Sequence, residues 1–319
     1  MTAWVEVLRT KSVGVDTKPL PVTVMGVGDA VAPKSGSTFT RVTVVPASHA
    51  IVVLPSLGAS AGESAGASGD GRALPVDRDP RRIEAMFRGI APRYDLMNRL
   101  MTGGRDGHWR SIAAREAAPT PGDRVLDACC GTGDLSLTLA EECPGCEVVG
   151  LDLTEAMLER AREKAAARQR RGLLAPAFVR GDLLDLPFAD GEFAAVTVGW
   201  GVRNVPDISR AFAEMKRVTR PGGRVVCLES TQAPEGVRRR FHQVWMGRVV
   251  PVLGGAVTGD ATAYAYLPAS VEAFPRAEGL AAIMAAAGLT RVRYRRFGFG
   301  AVAIHVGEVP ADVAPGATR

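Results

Sequence analysis

The sequence predicts an α/β fold: a doubly wound, mostly parallel, seven-stranded sheet with helices on both faces and an antiparallel edge strand near the C-terminus. Three observations predict it. Short apolar runs at 124–128, 147–151, 177–179, 193–199 and 224–229 alternate with helical patterns, as strands and crossover helices do in a parallel sheet. A glycine turn, Gly131-Thr-Gly133, joins the first run to the helix after it. Two further β-rich runs, 291–296 and 301–306, close the chain and are expected to pair antiparallel at one edge.

The elements follow in order. Residues 1–80 differ from the rest, being rich in Val, Ser, Gly and Pro, with a linker-like, low-complexity segment at 59–71. They are expected to be a mostly disordered extension. It reads as a start codon placed too far upstream, a tail, or an organellar targeting segment; the scattered acids Glu6, Asp16 and Asp29 argue against the last. The folded domain is expected at 81–308, and 309–319 as a flexible tail. Helices are expected at 81–88 and 96–118, the second stopped by Pro119-Thr-Pro-Gly122. Another runs from Asp134 to about 142. Thr154 is an N-cap candidate for the helix that Gly172 ends, and further helices are expected at 209–219, 237–255 and 271–287.

Composition narrows the function. The chain has 319 residues, 46% of them hydrophobic and 23% charged, with a net charge of +5. Only five of its 39 basic residues are lysine (positions 11, 18, 34, 164 and 216), a skew that reports a GC-rich genome more readily than a nucleic-acid partner. No basic run with interleaved aromatics marks an RNA or DNA surface. The five cysteines do not form a secreted disulfide framework, and Cys143-Pro-Gly-Cys146 lacks the second pair a zinc site needs; it is expected to be a reduced loop. No apolar run reaches the 18 residues of a spanning helix, and the apolar stretch at 42–54 is interrupted by Pro46 and His49. A cytoplasmic location is expected, or an organellar one if 1–80 is a targeting segment.

Ligands of doubly wound sheets bind outside the carboxyl ends of the strands, so those ends carry the chemistry. The turn Asp127-Ala-Cys-Cys-Gly-Thr-Gly-Asp134 lets the backbone approach a ligand at Gly131 and Gly133, although Ser136 stands where a dinucleotide fingerprint has its third glycine. Asp127 and Asp134 flank the turn. Carboxylates suit a pyrophosphate poorly and suit a cofactor with a cationic end, such as the sulfonium and ammonium of S-adenosyl-L-methionine. Asp152, with Leu153 after it, ends the second strand where an acid can accept from two ribose hydroxyls. Asp182 and Leu183 end the third, where an acid can accept from an adenine amino group. Gly199-Trp-Gly-Val-Arg-Asn204 follows the fourth and is expected to hold Arg203 and Asn204 at the pocket mouth.

Several segments together resemble the ubiquinone/menaquinone biosynthesis C-methyltransferase family, within the class I S-adenosylmethionine-dependent methyltransferases. They are Met86-Phe-Arg-Gly-Ile-Ala-Pro-Arg-Tyr-Asp-Leu-Met-Asn98, His108-Trp109, Leu126 to Leu135, Leu186-Pro-Phe188, Gly201-Val-Arg-Asn-Val205, Arg220-Pro-Gly-Gly-Arg224 and Tyr266-Leu-Pro-Ala-Ser-Val-Glu-Ala-Phe-Pro275. The resemblance covers roughly residues 80–308. It implies that Thr132, Asp152, Asp182 and Leu183 contact the cofactor, and that a serine usual on strand four is replaced by Gly199. It implies methylation of a ring carbon of a prenylated hydroquinone, on a naphthoquinol or a benzoquinol. On that chemistry Arg203 is expected to stabilise the quinol oxyanion, and Tyr94 and Asp95 to orient the hydroxyl or accept its proton. The basic stretch 238–250 places Phe241, Val244, Trp245 and Val249 near one helical face. That face is expected to meet a membrane surface, the protein's own core or the partner in a homodimer.

Overall fold

The computed structural model describes residues 5–7, 78–258 and 261–311. The low-complexity segment 59–71, the rest of the expected extension up to residue 77 apart from 5–7, and residues 312–319 of the expected tail lie outside the described residues.

The seven expected strands are present: β2 (Arg124–Ala128), β3 (Glu147–Asp152), β4 (Ala177–Arg180), β5 (Phe193–Gly199), β6 (Thr219–Ser230), β7 (Thr290–Phe297) and β8 (Val302–Glu308). An eighth, β1 (Val5–Val7), comes from the N-terminal extension and pairs antiparallel with β7, so that part of the extension is ordered as strand. The sheet order is β1-β7-β8-β6-β5-β2-β3-β4. β2 pairs in parallel with β3 and β5, β3 with β4, and β5 with β6, whereas β8 lies antiparallel between β6 and β7. The direction of strand addition reverses between β2 and β5, the position at which such sheets open a crevice.

Alternation along the central strands builds two cores. Leu126, Val149, Val196 and Val225 face one side with Phe212, Met215, Leu280 and Met284, while Val125, Val148, Ala195 and Val226 face the other with Trp109, Ala113 and Leu139. Both faces are therefore covered, and β5 is buried from Phe193 to Val198, as a near-continuous apolar run requires.

The helices are α1 (Pro80–Ile90), α2 (Tyr94–Thr102), α3 (Asp106–Ala117), α4 (Asp134–Glu142), α5 (Glu155–Gln169), α6 (Ile208–Val218), α7 (Val237–Val244), α8 (Val250–Thr258), α9 (Ala261–Glu272) and α10 (Ala277–Ala286). Asp79 caps α1 by accepting from the Arg81 amide, and Pro80 takes the first helical position, where a missing N–H costs nothing.

Three helix expectations are corrected. The expected helix 96–118 is two helices, because Gly103 and Gly104 adopt φ of 59° and 75° and turn the chain between them. The expected helix 271–287 also divides, at Pro275, and its first part belongs to α9. Between α7 and α8 the helix passes through a π-helical turn at Trp245–Val249. Cys143 and Cys146, expected to be reduced, form a disulfide: the Pro144-Gly145 turn, with Gly145 at φ 94°, brings their Cα atoms to 5.6 Å. Among the described residues, no helix is long and apolar enough to cross a membrane.

Candidate active site

Two cavities meet above the carboxyl ends of β2, β3 and β5. The narrower one is lined by every residue expected to touch a cofactor: Asp127, Gly131, Thr132, Asp152, Leu153, Asp182, Leu183 and Gly199, except Gly133, which supports the turn from behind. Gly133 has φ of 80°, and a Cβ there would come within 2.8 Å of the Phe178 ring, so only glycine lets the turn pack this closely. Gly131 is needed for its conformation alone: its φ is 56°, and a Cβ there would meet nothing.

The acids around this cavity have different partners. Asp152 accepts from the Gly131 amide with Oδ2 and from the Thr154 amide with Oδ1, both at 2.8 Å. It therefore braces both the glycine turn and the start of α5, where Thr154 is the N-cap residue, as expected, although its side chain makes no cap bond. Burial nevertheless raises the Asp152 pKa against the pull of those bonds. Asp182 accepts from the Leu184 amide at 2.9 Å. Asp134 is already paired with Lys164 at 2.6 Å. Asp127 is fully buried with only hydroxyl donors in contact, Ser136 at 2.6 Å and Thr197 at 3.1 Å, and burial pushes its pKa up to about 7. A buried carboxyl with no cation bonded to it fits the ammonium or the sulfonium of S-adenosyl-L-methionine.

The second cavity, of about 700 Å³, is walled mainly by apolar side chains of α1, α2 and the α7–α9 region, among them Met86, Phe87, Met101, Trp245 and Leu267. Tyr94, Phe87 and Trp200 line both cavities. Arg203, expected at a pocket mouth, is instead buried at this junction. Its Nη1 donates to Glu229 Oε1 at 2.8 Å and to the Trp200 carbonyl at 2.7 Å, while its Nε is buried without a partner. Burial disfavours its charge, but Glu229, by its charge and its hydrogen bond, outweighs that and raises its pKa, so it stays cationic. Burial raises the pKa of Tyr94 as well, keeping the phenol protonated. Asn204 donates to the Trp200 carbonyl at 3.3 Å and accepts from the Tyr266 hydroxyl at 3.1 Å.

Asp95 is placed elsewhere. Its Oδ1 accepts from Thr132 at 2.5 Å and its Oδ2 pairs with Lys164 at 2.6 Å, so it ties α2 to the cofactor turn, and it lines neither cavity. Trp245 faces inward, onto the second cavity, so at this residue the helical face meets the protein's own interior, one of the expected alternatives. Glu229, Trp200 and Tyr266 were not singled out by sequence reasoning. Glu229 could have been, since it lies at the carboxyl end of β6, where the strand-end rule looks. Among the described residues, no cluster of metal-ligating side chains occurs.

A doubly wound sheet with a glycine turn at the reversal point and an acid-lined cavity above it places the chain among the S-adenosyl-L-methionine-dependent methyltransferases. The family model that matches residues 76–309 is the ubiE/COQ5 methyltransferase family, and the chain belongs to it. Demethylmenaquinone methyltransferase of Thermus thermophilus is 50% identical over 225 residues, spanning 70% of this chain and 100% of that protein. The protein of the same name from Deinococcus radiodurans is 45% identical, over 71% of this chain and 92% of its own length. Solved structures are more distant. The [4+2]-cyclase SpnF aligns at 16% identity with a TM-score of 0.49, over 75% of this chain and 98% of the other, and adds nothing to the assignment.

Proposed function

We propose that the chain methylates a ring carbon of a prenylated hydroquinone, converting a demethylmenaquinol to a menaquinol. One observation carries this reading: a large apolar cavity opens directly beside the cofactor cavity, with the buried cation Arg203 lining the acceptor side of their junction. An isoprenoid chain needs apolar walls, and a phenolate needs a fixed donor. The relatives named above, demethylmenaquinone methyltransferases, support the same acceptor.

The cofactor supplies an electrophilic methyl on a sulfonium. What the residues do is position and polarise. Arg203, oriented by Glu229, offers its unpartnered Nε to the acceptor oxygen as charge develops there, which makes the ring carbon ortho to it nucleophilic. Tyr94, whose pKa burial raises, lines both cavities at the same junction, where its hydroxyl can orient the acceptor. Bound there, the cofactor would supply the methyl and leave as a neutral thioether, and the reaction would release one proton net to solvent as the ring regains aromaticity. Holding ring carbon and methyl ~3–3.5 Å apart in a dry site contributes several kcal/mol by itself.

We also propose that the enzyme works at a membrane surface. Val237 and Phe299 line the second cavity and are largely exposed, which puts apolar side chains at its rim, and Val244 and Val252 are exposed along α7 and α8. Labelled methyl transfer to reduced short-chain demethylnaphthoquinol and demethylbenzoquinol tests the reaction; no transfer to either overturns it. Flotation with anionic vesicles tests the surface, which is expected to be weakened by Val237→Glu with Phe299→Glu.

A further inference from the structure

Trp200 holds a conformation that glycine would adopt at no cost. Its φ is 57°, in the left-handed region, where a bulky side chain is strained. Its surroundings impose that conformation. The Trp200 amide donates to Leu228 O at 2.8 Å, and its carbonyl accepts from both Arg203 and Asn204. Next to it, a Cβ on Gly201 would lie 2.4 Å from the Cβ of Cys129, so the turn is wedged against the cofactor turn. The indole thus stands at a fixed place and lines both cavities. The Arg110 guanidinium lies over the ring, 5.0 Å from its centroid, and is itself held by Asp106 at 2.5 Å. A strained aromatic residue, locked by its own backbone to the two polar groups at the reaction junction, is more than a wall.

We infer that Trp200 is the specificity-determining platform of the acceptor site: the acceptor ring lies against its indole, and the larger overlap of a bicyclic ring selects naphthoquinols over benzoquinols. The inference rests on the quinol reading above and adds to it the residue that chooses the ring. Stacking of this kind contributes about two- to tenfold in affinity beyond area burial, and more where overlap is larger. Because the Trp200 carbonyl belongs to the backbone, side-chain substitution leaves in place the acceptor for Arg203 and Asn204.

The test compares full-length wild type with Trp200→Phe, Trp200→Leu and Trp200→Gly. Each is assayed for kcat and KM with a reduced demethylnaphthoquinol and a demethylbenzoquinol of the same short tail. Calorimetric titration with S-adenosylhomocysteine reports the cofactor cavity separately. Trp200→Leu is expected to raise KM for the bicyclic acceptor about tenfold and for the monocyclic one about threefold, with Trp200→Phe between. Trp200→Gly is expected to melt no lower than Trp200→Leu, since it relieves the backbone, yet to lose the same ring preference. Quenching of tryptophan emission by an oxidised naphthoquinone should fall in Trp200→Phe. Equal KM increases for both rings, or a loss confined to S-adenosylhomocysteine affinity, overturns the platform. Failure of the wild type to methylate either quinol overturns the proposed function itself; unchanged quenching in Trp200→Phe then overturns the platform too.

Discussion

The two cavities that meet at Tyr94 and Trp200 are made from different material. The cofactor cavity is assembled from strand ends and the turns after them, each set by a sheet register buried on both faces, and its walls carry carboxylates. The acceptor cavity is assembled largely from helices, α1, α2 and the α7–α9 region, and its walls are mainly apolar, with Arg203, Asp106, Arg105, Asn98 and Ser230 among the polar groups that reach it. A sheet fixes the position of a small polar ligand, and packed helices shape room for a large greasy one. The difference teaches that recognition of the two ligands is separable, and substitutions can test how far.

The largest effect is expected for Arg203→Ala. Losing one donor aimed at a developing oxyanion costs roughly 10²–10³ in kcat. Cofactor affinity by calorimetry should hold within about threefold, because Arg203 lies on the other side of the junction. Removing the cation also strands buried Glu229, so the double variant Arg203→Ala with Glu229→Gln should melt higher than the single one. A parallel fall in cofactor affinity would break the separation.

Asp152→Asn should do the converse, raising the cofactor dissociation constant by roughly 10- to 100-fold, as loss of charged hydrogen bonds implies, with kcat at saturating cofactor little changed. A kcat loss at saturation would show that the sheet side also positions the acceptor.

Asp127 gives a pH signature. Its folded pKa, about 7, lies above its unfolded value near 3.8, so its stabilising contribution is full below that value and is lost as pH rises through about 7. Asp127→Asn in the free protein should remove that part of the stability loss, read by denaturation at the two ends of the window. In the wild type, a cation bound beside Asp127 favours the charged form. Cofactor binding near pH 7 should therefore release a fraction of a proton, seen as a buffer-dependent binding enthalpy.

The smallest effect is expected for Asp95→Asn. Its pairing with Lys164 is partly exposed, and pairs of that kind contribute about 0–1 kcal/mol. A few-fold rise in the acceptor KM at unchanged pH profile fits a residue that anchors α2. A shifted pH profile would return Asp95 to proton transfer.

What could be read from the sequence follows the same division. β2 and β5 were bounded from their apolar runs to the residue, and β2 to β5 each end in a group that lines the cofactor cavity, because a strand and its turn are contiguous in sequence. The acceptor cavity was not legible. Met86, Trp245 and Leu267 come together only when three helical regions pack, and no periodicity encodes that meeting. For Trp245 the sequence showed an apolar face but not what it meets, because helical periodicity reports which residues share a side, not which side is inside. Asp95 looked catalytic beside Tyr94, but neighbours on a helix point about 100° apart, and it turned to Lys164 instead.

Helices α1 and α2 roof both cavities through Phe87 and Tyr94, while the tie from Asp95 to Thr132 and Lys164 pins that roof to the floor. A shift of α1 and α2 would therefore disturb both cavities at once, whereas the exposed rim at Val237 and Phe299 borders the acceptor cavity alone.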